Sequence, residues 1–211
     1  MKEKRIGIIK LIKEHVSNNS KEYIIVTLIF VIGIFLGVLF INNIQESQRN
    51  EISSYINNFT DKMKNTEDIK SIELLKVSVK QNLLLALTIW FFGTTVIGIP
   101  IVFGITLYRG FCLGYTISAC ISVMGLSKGL AFVIISLVLQ NILFIPALLA
   151  LSVSGFKLYK SIIKDNRKEN IKIEIIRHTI FSLIMILILI VSSIIEVFVS
   201  VNSLKYLIKY F

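Results

Sequence analysis

Residues 108–115 read YRGFCLGY, and they set one arginine, Arg109, inside a long uncharged stretch. No other Asp, Glu, Lys or Arg lies between Lys80 and Lys128. Either Arg109 marks a turn at a membrane surface, or it is buried at depth among helices. The surrounding sequence bears on that choice.

The chain has 211 residues, 55% of them hydrophobic, and a mean hydropathy of +0.78. Soluble domains hold about 45–50% apolar residues. The excess lies in runs such as Tyr23–Ile41, Leu83–Leu107 and Thr179–Val201. About 20 apolar helical residues cross a bilayer core. Strand alternation is absent, and lipid leaves the backbone only helices or closed barrels. The expected fold is therefore an all-α polytopic membrane bundle of five transmembrane helices.

The divisions follow. Residues 1–22 form a basic segment with six Lys/Arg against three Glu. Ile8, Ile9, Ile12 and Val16 fall on one helical side, as in an interfacial helix on anionic lipid; a partner-docking helix would look the same. Span 1 is 23–41, read as a retained anchor because no cleavage site ends it. Residues 42–82 carry six basic and six acidic residues. Two apolar stripes, Ile52 to Met63 and Ile69 to Val79, suggest a helical hairpin. Residues 83–201 supply four more spans, with a basic loop at 157–178 and a short interfacial tail at 202–211. Basic flanks lie cytoplasmic. The N-terminus and the 157–178 loop are both basic and four spans apart, so both are expected inside. The 42–82 segment and the C-terminus are then outside.

Residues 83–126 must cross twice, and two turns are open. One is Gly98-Ile99-Pro100, where proline suits a first helical turn; the other is Tyr108-Arg109-Gly110. The first is favoured, and it puts Arg109 about 13–15 Å inside span 3 at 1.5 Å per residue. Asn141 then lies about 18 Å into span 4. Arg109 is expected to donate hydrogen bonds to Gln140 or Asn141, with Glu196 nearer the outer surface. Gly110, Gly114, Ser118 and Ser122 recur every fourth residue, which suits close helix packing. That packing could lie within the chain or between two copies.

Little else points to chemistry. His15 and His178 are expected at the interface. No HExxH, CxxC, GxSxG or Walker pattern occurs, so no enzyme, metal or cofactor is expected. Cys112 and Cys120 lie about 12 Å apart on one helix, too far to pair. The net charge of +10 sits at span flanks, which argues against nucleic-acid binding. A transporter is the alternative class, for which Arg109, Gln140, Asn141 and Glu196 form a thin polar set.

The order and spacing of these features resemble the stage II sporulation protein M family of endospore-forming bacteria. They are the basic head, the forty-residue segment, the Gly-rich pair of spans from Asn82 with RGFCLGY, and QNILFIP at Gln140–Pro146. The wider family often opens its fourth span with His-Gly; Ser127-Lys128-Gly129 stands there in this chain. The resemblance implies a non-enzymatic scaffold that localises two cell-wall hydrolases, stage II sporulation proteins D and P, during engulfment at the septum. Membrane lipids and a second copy of the chain are further expected partners. Tyr55 and Phe59 are the candidate docking residues on the outward segment.

Overall fold

The computed structural model describes residues 8–65, 71–164 and 168–208. The opening MKEKR and Ile69 lie outside the described residues, as do the side chains of Ile8, Ile9 and Ile12. The described chain is helical with no strand. Its elements are α1 (Ile8–Asn18), α2 (Ser20–Asn42), α3 (Glu46–Asn65), α4 (Ser71–Gly93) and α5 (Ile99–Met124). They continue as α6 (Leu126–Val133), α7 (Leu139–Lys164), α8 (Lys168–Ile195) and α9 (Val201–Ile208). Two π-helical turns, Ile134–Val138 and Glu196–Ser200, join α6 to α7 and α8 to α9 without a break.

Five helical stretches are long and apolar enough to cross a membrane. They are Ser20–Asn42, Ser71–Gly93, Ile99–Met124, Gln140–Ile163 and Ile171–Leu204. In four of them 22–33% of the most apolar window is buried; in the fourth span, on α7, the share is 56%, so α7 is the central helix. The others present exposed apolar faces, with Phe35, Leu84, Phe91, Leu183 and Leu187 open. Such a belt is unsuited to water and matched to lipid.

The turn between the second and third spans lies at Thr94–Gly98, and Pro100 opens α5. Proline fits there because the first helical N–H groups have no partner in the helix. The second arm of the expected hairpin differs from the sequence reading: α4 starts at Ser71 and runs unbroken to Gly93. Its polar residues therefore enter the bundle. At the far end of α5, Gly125 has φ +80°, the left-handed region that favours glycine, and it reverses the chain into α6.

The core brings together Ala86 and Ile89 of α4, Leu148 and Leu151 of α7, and Met185 and Leu189 of α8. Phe30 and Val102 close it from α2 and α5. Alongside, α2 and α5 run parallel with their backbones in contact. A Cβ on Gly33 or Gly37 would strike the carbonyls of Leu107 or Phe111; one on Gly110 or Gly114 would strike those of Phe30 or Ile34. Two Gly-x-x-x-Gly pairs thus seat each helix against the other, the geometry such spacing permits.

Candidate functional site

The buried polar groups fall in three layers along the bundle. At the end carrying α1, His178 of α8 is buried and pairs through Nδ1 with Ser154 Oγ at 2.8 Å. Its Nε2 lies 3.4 Å from the Trp90 carbonyl oxygen. Gly93 and Gly155 meet beside the ring. His178 is thus packed between helices at the α1 end of the bundle; three helices close over it where the two glycines remove side-chain bulk. His15 stacks on Phe181 at 4.0 Å between ring centres and bonds Tyr23 Oη at 3.1 Å. Burial, then Lys157 and His178, lowers its pKa from 6.5 to about 4. In the middle layer Thr106 and Ser152 hydroxyls pair at 3.0 Å.

The third layer holds a cavity of about 210 Å³ between α4, α5, α7 and the turn after α8. Its polar lining includes Ser78, Asn82, Arg109, Gln140, Asn141 and Glu196. α4 supplies Ser78 and Asn82 four residues apart, one helical turn on one face. Asn82 Nδ2 donates to Ser193 Oγ at 2.8 Å and so ties α4 to α8. Ser78 Oγ donates to Glu196 Oε2 in a short hydrogen bond.

Arg109 is at this depth, not at a turn, but its expected hydrogen bonds to Gln140 and Asn141 are not formed. Its guanidinium lies over the Phe144 ring, 5.3 Å from the centroid. Asn141 Nδ2 donates to the Leu137 carbonyl at 2.8 Å instead. Asn43 and Asn202 make the same bond to the carbonyl four residues back, the local option open to a helical asparagine. Among the described residues, no hydrogen bond or ion pair reaches the Arg109 guanidinium. Glu196 lines the same cavity as Arg109 but pairs with Ser78, one turn nearer the start of α4 than the Asn82–Ser193 bond.

The remaining sequence candidates separate. Gly110 and Gly114 are filled by α2 of the same chain. Ser118 is half-buried and Ser122 exposed, so the small stripe leaves the seam before Ser122. Tyr55 is 74% exposed on α3; Phe59 is exposed too, at 39%, but meets Phe132 edge-on at 6.4 Å. Ser78, Asn82, Ser192 and Ser193 escaped the sequence reading. The signal was present as small polar residues three or four apart within apolar helices, facing Glu196 by the same spacing. Among the described residues, no group of three His, Cys, Asp or Glu could hold a metal.

Five apolar helices around an interior of serine, asparagine and one unpaired arginine define a multi-pass α-helical membrane protein. One layer of its polar residues lines a cavity. The sequence model for Stage II sporulation protein M matches residues 26–201, and the chain belongs to that family. It is thus a sporulation-related membrane protein. No curated protein and no solved structure matches it.

Proposed function

We propose that this protein is a non-enzymatic membrane scaffold of engulfment, holding cell-wall hydrolases of the stage II sporulation D and P type at the septum. The family match carries this reading. The molecule is compatible with it: a packed bundle anchors α3, whose Tyr55 stands free for a partner. In this arrangement the basic N-terminus and 157–178 loop are cytoplasmic, and α3 faces the hydrolases from the mother-cell membrane.

Tyr55 is the better probe of docking, because Phe59 also supports α3 against Phe132. Tyr55→Ser should weaken recovery of both hydrolases from sporulating cells while membrane insertion stays intact. Recovery unchanged in Tyr55→Ser and in the Tyr55→Ser/Phe59→Ser double variant would remove α3 from the interface. The polar cavity is the observation favouring a transporter instead. Solute flux in liposomes, abolished by Arg109→Gln, would replace the scaffold reading.

A further inference from the structure

Three cavities meet at one side chain. The polar cavity shares Thr116 and Leu137 with an apolar cavity of about 600 Å³ beneath α3. It shares Leu113, Leu137 and Asn141 with a second apolar cavity of about 450 Å³ beside α7. Leu137 lines all three and lies in the first π-turn; Glu196 opens the second. Such turns are rare and frequent at functional sites. The arrangement is one small polar chamber between two larger apolar ones, which is the division of an amphiphile.

We propose that the three cavities together bind one zwitterionic phospholipid, with its phosphate on Arg109, its headgroup ammonium on Glu196 and its acyl chains in the two apolar cavities. Arg109 offers a planar fork of five donors, none used by a described residue, and that fork suits phosphate. Glu196 receives one hydrogen from Ser78 and keeps further acceptor capacity. The chamber therefore holds one fixed cation and one carboxylate. A zwitterion meets both, whereas an anionic lipid offers Glu196 no cation and sets a second negative group beside it, a like-charge juxtaposition that costs free energy.

Size agrees. The polar chamber has room for about seven waters at 30 Å³ each. It is smaller than the roughly 300–1,000 Å³ of sites for drug-sized ligands, and it suits a headgroup. The apolar walls, Ile52, Ile56 and Phe132 on one side and Ile142, Ile145 and Pro146 on the other, have no use for a soluble solute.

The test uses the full chain, purified in detergent, with binding read by native mass spectrometry. Phosphatidylethanolamine, phosphatidylglycerol and glycerophosphoethanolamine are the three probes. The first should bind at least about tenfold tighter than the other two. Arg109→Gln should lose about tenfold. Glu196→Gln should shift preference toward phosphatidylglycerol, which a residue serving only the fold would not do. Leu137→Trp, filling the junction of the chambers without touching either charge, should lose phosphatidylethanolamine while the lipid-free melting temperature is kept. Equal binding of the two lipids by the unmodified chain would overturn the proposal. So would unchanged selectivity in Glu196→Gln. Glycerophosphoethanolamine binding as tightly as the lipid would overturn it too, in favour of a solute site.

Discussion

The two faces of α5 are built on opposite terms. Gly110 turns toward α2, where backbone meets backbone and not even a methyl group fits. Arg109, the preceding residue, turns toward α4 and α7 into open polar space. The seam carries no charge and holds its helices by close van der Waals packing, the force left to helices once lipid removes the hydrophobic contrast. The cavity carries charge and leaves donors unmet. A rigid seam behind α5 fixes where Arg109 stands, while the Asn82–Ser193 and Ser78–Glu196 hydrogen bonds hold the opposite wall. Packing and vacancy are separate tasks of one helix.

The comparison breaks most readily at the seam. Gly110→Val drives a branched side chain into the Phe30 carbonyl. Overpacking of this kind costs about 3 kcal/mol at the upper end of its usual range, and backbone cannot step aside as a side chain can. Reduced monodisperse yield and a lower melting temperature in detergent are expected, with Gly33→Val behaving alike from the other helix. Tolerance of both would mean that the seam does not position α5.

On the cavity side the effects are smaller. Ser78→Ala removes the hydroxyl that Glu196 accepts from. Loss of a hydrogen bond to a charged group costs about 1.5–3 kcal/mol, and water entering the cavity brings this toward the lower end. Arg109→Gln should cost still less in stability, about 1 kcal/mol, since the Phe144 ring is its contact and such contacts contribute about that amount. Adjacent positions, Arg109 and Gly110, should therefore differ severalfold in thermal stability. Equal losses would show that Arg109 is structural and that the two faces are not distinct.

Much of this architecture was legible in advance, for physical reasons. Span length follows from bilayer thickness, so five crossings could be counted from apolar runs. Pro100 and Gly98 located the turn that buries Arg109. Glycine spacing announced a seam, but spacing does not name a partner, and Gly33-x-x-x-Gly37 and Gly110-x-x-x-Gly114 looked like independent motifs. The cavity was half visible. Arg109, Gln140, Asn141 and Glu196 all stood out as polar residues within the spans, but spacing along single helices does not show that they line one cavity. Ser78 and Asn82 were hidden because their segment has enough charge to read as extramembrane, although α4 carries it into the bundle.

The smallest expected effect lies at the α1 end, where His15 and His178 are each hydrogen-bonded. His15 is packed on Phe181, bonded to Tyr23, and faced by Lys157 and His178. Its docked pKa, about 4, lies below the ordinary 6.5. Docking therefore favours the neutral ring, and the undocked state binds more protons between these values. The contribution is complete above pH 6.5 and is lost as pH falls toward 4. Because the ring is partly exposed, solvent screening holds it to about 1 kcal/mol or less. It should act on the seating of α1 rather than on the whole bundle, since α1 touches α2 and α8 at few points. Proteolysis within α1 should accelerate between pH 6.5 and pH 4.5, and His15→Phe, which keeps a ring for Phe181, should flatten that dependence. A slope unchanged in His15→Phe would pass the titration to another group. A flat profile in the unmodified chain would show that α1 is seated without reference to the charge on His15.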